Sequence, residues 1–417
     1  MNKTDISAKR ARIGALLGNA VEYYDQSLYA YLAPFLAPVF FPTSDPVIGL
    51  ILTYLLIPLG FISRPIGAYF IGDIGDYVGR KKALMISIIG MAVVTFTIGC
   101  LPTYAKVGAI SPILLILCRV AQSFFVGAEF NGGAIYTLEH TPQQRHGIMS
   151  GLYSAGTVVG MLAASLIALV VSHYPFLTWR FPFFLSFLTT IVAWYLRYYM
   201  VETPLVEFRS RIKISFLQLL LKYKIDFLRI IIVAGLFNTI YTIPTIFLNT
   251  YIPMISNVSI ENMLLLSSIS LLIYMGSLVI FGVLSDVISV EKIMKIGALC
   301  IILLSYPLFC LLYNVSIIKI AIFKGIFAII AGAFNGGFHA WVLNIFQYDH
   351  RYRGISLGYS LGSQIIGGMS PAICFWLWQK TQYIPSPSFY LMICGVVALC
   401  GISKLYRRSK LELSMPS

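Results

Sequence analysis

The residues with the clearest potential for chemistry are ionisable side chains set inside long apolar runs. Glu22 and Asp25 lie three apart in one such run, so on a helix they share a face, with Tyr29 one turn further along. Counted from Ile13 at about 1.5 Å per residue, Asp25 sits about 18 Å along its helix, close to the middle of a bilayer. Another run carries Arg119, Gln122 and Glu129 on one stripe. A charge at such depth costs about 2.5–3.5 kcal/mol on insertion scales unless it is paired or hydrated, so each is a functional candidate. Neighbouring carboxylates in a dry place disfavour full ionisation, which suits them to take up a proton on one side and release it on the other. Glu22, Asp25 and Glu129, with Arg119 as the modulating cation, are therefore the expected proton-coupling set. The competing role is structural, a buried ion pair that ties helices together.

Further along, Lys324 stands ten residues before Phe334 as Arg119 stands eleven before Phe130, which puts one cation at matching depth in each half. Two such cations would suit a carboxylate-bearing solute, or Lys324 would neutralise a carboxylate of the first run. Asn131 and Asn335, each followed by Gly-Gly, would either hydrogen-bond a solute or serve as interhelical glue. His339, one turn beyond Asn335, and Tyr29 complete the expected lining of a solute cavity. The other tyrosines Tyr23, Tyr24, Tyr31, Tyr153 and Tyr359 would add aromatic faces for a cationic group.

These residues need helices that cross a membrane. With 58% hydrophobic and 11% charged residues in 417, and mean hydropathy +0.84, the chain is excluded from the ordinary soluble class. Twelve apolar runs are long enough to span a bilayer: about 13–40, 47–71, 83–102, 110–137, 147–172, 180–200, 227–253, 263–286, 293–313, 317–345, 354–379 and 387–406. The net charge of +14 would invite a nucleic-acid partner, but its placement argues otherwise. With the N-terminus in the cytoplasm, 23 of the 30 Lys and Arg residues fall on the cytoplasmic side, including those from Arg197 to Arg229. Lys106, Arg180, Lys319 and Lys380 fall outside, and Arg64, Arg119 and Lys324 lie within runs. The basic excess thus reads as topology, with both termini cytoplasmic. The first run is too long for a cleavable signal and carries two acids. The 7 cysteines show no metal-ligand spacing and read as small packing residues.

The two halves echo each other. Phe130-Asn131-Gly132-Gly133 recurs as Phe334-Asn335-Gly336-Gly337, an offset of 204, and Tyr153-Ser154-x-Gly156 recurs as Tyr359-Ser360-x-Gly362, an offset of 206. The charged hairpin Gly72-Asp73-Ile74-Gly75-Asp76-Tyr77-Val78-Gly79-Arg80-Lys81-Lys82 returns, eroded, as Gly282-Val283-Leu284-Ser285-Asp286, an offset of 210. Three collinear echoes imply a duplication. The predicted fold is an all-α polytopic membrane protein of twelve transmembrane helices in two pseudo-symmetric six-helix bundles. Their expected extents are 1–200 and 227–417, joined by a cytoplasmic linker at 201–226 with an amphipathic piece at 214–223.

The charged hairpin resembles the loop between helices 2 and 3 of the major facilitator superfamily. Gly18-Asn19-Ala20-Val21-Glu22-Tyr23-Tyr24-Asp25, Arg64-Pro65 before the hairpin, Gly127-Ala128-Glu129, Tyr136 with Glu139 and Arg145, Trp179-Arg180-Phe181-Pro182, and Glu202-Thr203-Pro204 are similar to its metabolite:H⁺ symporter family. That family includes proline/betaine, α-ketoglutarate, citrate and shikimate permeases. The resemblance implies a gating motif of Arg64, Gly72, Asp76, Gly79 and Arg80, with Asp76 bridging to Arg80 and to the start of helix 11 near Gly354. Asp286 would mirror it against helix 5 near Gly147. Residues Ser289, Val290 and Glu291 depart from the family's Gly-Arg-Arg/Lys in the second copy.

The expected function is secondary active transport: proton-coupled import of an organic acid, amino acid or betaine-like osmolyte by alternating access, in a bacterial inner membrane. A proton-coupled exporter of the same fold is the alternative. The expected partners are a small solute, protons and the lipid bilayer, with no nucleic acid, no metal and no cofactor, and the chain is expected to be a monomer. No Gly-x-x-x-x-Gly-Lys-Ser/Thr loop points to ATP, and the 5 histidines are too scattered for a membrane enzyme.

Overall fold

The structure, a computed structural model, describes residues 3–43, 48–49, 52–53, 56, 60–174, 177–198, 200, 202 and 215–403. Among these the secondary structure is helical, with no strand. In chain order, α1 is Lys3–Phe40, α2 Gly60–Tyr77, α3 Arg80–Cys100, α4 Ile110–Glu139, α5 His146–His173 and α6 Phe181–Tyr198. Then α7 runs over Lys224–Ile255, α8 over Ile260–Val287, α9 over Val290–Cys310 and α10 over Ile317–Leu343. Two pieces, Arg351–Gly362 and Ser370–Thr381, form α11 on either side of a π-helical turn, and α12 is Pro387–Ile402.

Each of the twelve expected apolar runs thus contains a helix. By length and apolar composition, 7 stretches among the described residues suffice to cross a membrane, lying on α3, α4, α5 and α7 to α10, with shorter apolar helices in α6 and α12. The remaining helices fall short for physical reasons. Glu22, Asp25 and polar neighbours dilute α1, part of the second run lies outside the described residues, and π-helical Ser363–Gly368 interrupts α11.

Local sequence sets the helix ends. Ser259 and Ser316 cap α8 and α10 by accepting from the backbone N–H of Asn262 and Lys319, both at 3.3 Å. The expected amphipathic piece is a helix at Phe216–Lys222, opened by a reciprocal capping box between Ser215 and Gln218. It buries Leu219 and exposes Leu217 and Leu221, as a helix on an apolar surface would. Residues 203–214 of the expected linker and the basic tail from Lys404 lie outside the described residues.

The described chain divides into two compact units: residues 1–143 with 153–209, and residues 144–152 with 210–417. Helix α5 therefore begins in the second unit and continues in the first. Within unit 1, α2 and α4 approach backbone to backbone. A Cβ at Gly67 would collide with the Phe124 carbonyl, and one at Gly127 with that of Arg64, so both positions require glycine. An apolar cluster of Leu28, Leu32, Leu36, Phe40, Leu115 and Phe183 closes one end of this unit.

Candidate functional site: buried charge clusters in each unit

In unit 1, α1 carries Glu22, Asp25 and Tyr29 into the interior, at 3%, 2% and 0% exposure. From α4 come Arg119, Gln122, Glu129 and Asn131, all buried. The cation that meets Glu129 is Arg197 of α6: its Nη2 donates to Glu129 Oε1, and its Nη1 donates to the Leu84 carbonyl at 2.8 Å. Arg197, counted from the sequence among the charges on the cytoplasmic side, is fully buried and is the cation paired with Glu129. Gly18 makes room for the exchange, because a Cβ there would strike the Arg197 guanidinium.

Arg119 instead stacks its guanidinium over the Tyr29 ring at 4.2 Å and donates to Gln122 Oε1 at 2.6 Å. Gln122 passes the chain on to Thr95 Oγ1 at 2.8 Å, and Tyr29 Oη donates to the Thr53 carbonyl at 2.9 Å. The interaction is cation–π with neutral hydrogen bonding, a way to hold a buried arginine without an anion.

Glu22 differs from the other acids of the cluster. Neither of its oxygens accepts a hydrogen bond from a described residue, yet it lies within electrostatic reach of Glu129, Arg197, Arg64 and Asp25. Arg64 on α2 thus contributes to the field of this cluster. Asp25 accepts a hydrogen bond from the Ser186 hydroxyl on α6. The structure brings Glu22, Asp25, Glu129, Arg197 and Arg64 together, with Arg119 stacked on Tyr29 and within the field of Arg64. Asn131, fully buried, has both amide atoms without a hydrogen-bond partner among the described residues. Beside it, Phe130 packs edge-on against Tyr23 at 5.5 Å and tilted against Tyr153 at 5.9 Å.

At the α2–α3 turn, Arg80 is fully buried and donates to Asp76 at 2.5 Å and to the Gly75 carbonyl at 2.9 Å. Its Nε also reaches Glu139 at the end of α4, at 3.4 Å. Gly79 has φ 156°, and the Glu202 carboxylate fills the space where a Cβ would stand. Gly72 is buried within α2, one helical turn before Asp76.

Unit 2 repeats the motif in altered form. Asp286, at the end of α8, accepts from the backbone N–H groups of Gly147 and Ile148 at 2.6 and 2.8 Å, the geometry of an acid at a helix N-terminus. Ser289 holds φ 155°, the conformation of Gly79 at the matching position of the duplication. Val290 stands where Arg80 stands in the first copy, so no guanidinium relay is built there.

Inside unit 2, Lys324 is 1% exposed. Its Nζ donates to Asn249 Oδ1 and Ser267 Oγ at 2.6 Å each and to the Met263 carbonyl at 3.4 Å. Its three N–H donors are thus directed at neutral oxygens of unit 2. Asn335 donates to Tyr274 Oη at 2.8 Å and to the Phe237 carbonyl at 3.2 Å, and its own Oδ1 is without a partner among the described residues. His339 is 1% exposed, against the rings of Phe237 and Phe338, and its backbone N–H donates to Ser150 Oγ at 3.1 Å. A small crevice beside this group is lined by Tyr241, Thr245, Ser270 and Tyr274.

Sequence reasoning missed Arg197, Ser186, Asn249, Ser267 and Tyr274, and quoted Glu139 without a role. The one available signal was that Arg197 lies inside the apolar run 180–200 and not beyond its end.

The sequence pattern of the Major Facilitator Superfamily matches residues 15–371. A proline/betaine transporter of Salmonella typhimurium is 31% identical, covering 96% of this chain and 84% of that protein. A putative proline/betaine transporter of Staphylococcus aureus is 33% identical, over 96% and 88% of the two chains. Among solved structures, the proton:xylose symporter XylE aligns with TM-score 0.73 at 16% identity, over 96% of this chain and 95% of that one, a likeness of fold.

Proposed function

The chain belongs to the Major Facilitator Superfamily, and from that premise we propose that it imports a small zwitterionic metabolite of the proline or betaine kind together with protons. It is a multi-pass membrane transporter and not an enzyme. In this reading the bundles 1–200 and 227–417 carry the solute across by alternating access, with both termini in the cytoplasm.

One observation carries the proton reading: Glu22 is buried, lacks a hydrogen-bond donor among the described residues, and shares the field of Arg197 with Glu129. One guanidinium cannot satisfy two buried carboxylates equally. With a proton on Glu22, Arg197 stays on Glu129. Without it, the two acids compete for the same cation and the α1–α4–α6 packing is loaded. A proton thus selects between arrangements that differ by a few kcal/mol, which is the scale needed to bias a two-state equilibrium. Asp25, steadied by Ser186, tunes the same field.

Supporting roles follow from position. Asn131 offers an amide without a partner among the described residues, next to the Tyr23, Phe130 and Tyr153 rings, as a contact for a zwitterion. Asp76 with Arg80 and Glu139, and Asp286 against Gly147, serve as the two cytoplasmic latches. The test is uptake of labelled proline or glycine betaine into proteoliposomes with an imposed pH gradient. Accumulation that follows an acidic exterior supports symport. Proton-driven extrusion instead would identify an exporter.

A further inference from the structure

The arrangement around Lys324 differs from every other buried charge in the chain for which an ion pair is described. Arg80 and Arg197 each meet a carboxylate. Lys324 meets only neutral oxygens, although it is as deeply buried. The acceptors come from two helices: Asn249 on α7, and Met263 and Ser267 one turn apart on α8.

The cage residues also hydrogen-bond to groups other than the lysine. Asn249 Nδ2 donates to the Thr245 carbonyl at 2.7 Å, which turns Oδ1 toward the ammonium. Ser267 Oγ donates its proton to that same Oδ1 at 2.8 Å, which leaves its lone pairs facing Nζ. Upstream, α7 passes through the π-helical turn Ile243–Phe247, a distortion that recurs at functional sites and that ends immediately before the Leu248–Ile255 segment carrying Asn249. Oriented amide, hydroxyl and carbonyl oxygens beside an interrupted helix are the donor set by which membrane transporters hold a monovalent cation.

We propose that Asn249 Oδ1, Ser267 Oγ and the Met263 carbonyl form a monovalent-cation site of unit 2, which the Lys324 ammonium fills as a tethered cation. The ligand class is an ammonium or alkali ion of charge +1, and the chain supplies its own. This differs from a role for Lys324 in binding the solute, because each N–H donor of the ammonium is already directed at an oxygen. It also stands apart from the proton reading of unit 1, which involves none of these residues.

The experiment uses full-length protein purified in detergent, with thermal unfolding read for wild type and Lys324→Ala. Lys324→Ala is expected to melt several degrees below wild type. Methylammonium chloride, which carries the missing ammonium, should restore the loss saturably, and choline chloride at equal ionic strength should not. Sodium chloride tests the alkali arm, and saturable recovery by either small cation supports the site. A monodisperse Lys324→Ala protein indifferent to both, or a wild type raised equally by methylammonium, overturns it. Should Lys324→Ala fail to give monodisperse protein, Asn249→Asp decides. A carboxylate in the cage should raise the melting temperature above wild type by neutralising the buried ammonium, and an unchanged or lowered value overturns the proposal.

Discussion

Arg197 on α6 donates to Glu129 on α4 with both side chains sealed from solvent, at 0% and 1% exposure. Breaking a buried pair by removing one partner typically costs about 3–5 kcal/mol, because the other charge is left uncompensated. Arg197→Gln and Glu129→Gln should each destabilise by that order, and the double variant by clearly less than their sum. Thermal or denaturant unfolding of the four proteins closes the cycle. Additive losses would mean that the two groups do not act as a pair.

The Arg80 network has an internal order of strength. Its 2.5 Å contact with Asp76 is short, and its contacts with Glu139 at 3.4 and 3.5 Å are long. Arg80→Ala removes the guanidinium that both acids share. We expect stability and transport to fall in the order Arg80→Ala, then Asp76→Asn, then Glu139→Gln. Unfolding midpoints and initial uptake rates measure it, and an effect of Glu139→Gln as large as that of Arg80→Ala would contradict the order.

Ser289 occupies a backbone region that glycine alone enters freely, at a cost of about 1–3 kcal/mol for other residues. Ser289→Gly should therefore raise the melting temperature. Gly79→Ala should lower it, through both the dihedral and the collision with Glu202. If Ser289→Gly is destabilising, the serine has a role beyond its backbone.

His350 precedes α11 and is 6% exposed, with its ring 6.0 Å from that of Tyr223. Burial, and then the charge of Arg353, push its pKa below the ordinary histidine value. The unfolded chain takes up a proton near pH 6.5 while the folded one does not, so stability falls as pH drops through about 6.5. His350→Gln should flatten the slope of melting temperature against pH between about pH 7.5 and 5.5. An unchanged slope would place the titrating group elsewhere.

Much of the fold could be read from the chain, because apolar runs of bilayer length admit few solutions and the duplication fixes their order. The contact of Asp286 with Gly147 was implied by the family resemblance, carried to the second half by the echo of Asp76. The site was legible in depth and not in direction. Glu22, Asp25, Glu129 and Lys324 were placed inside, but which neighbour each faces depends on helix rotation, and apolar runs with weak amphipathicity leave rotation undetermined. Arg197 was lost for a related reason. A basic residue near the end of an apolar run reads as a topological marker, and only the packing of α6 against α1 and α3 turns it inward, where it meets Glu129. The neutral cage of Lys324 was invisible because asparagine, serine and a backbone carbonyl carry no charge to match against an ammonium.

The central claim is that Glu22 carries the coupling proton while Arg197 stays with Glu129. The most direct measurement compares Glu22→Gln with wild type in proteoliposomes in two assays on one preparation: uptake driven by a pH gradient, and exchange of labelled for unlabelled solute with no gradient. Abolished accumulation with exchange preserved within about twofold, roughly 0.4 kcal/mol, is the expected result. Gradient-driven accumulation that survives in Glu22→Gln at wild-type level would contradict it.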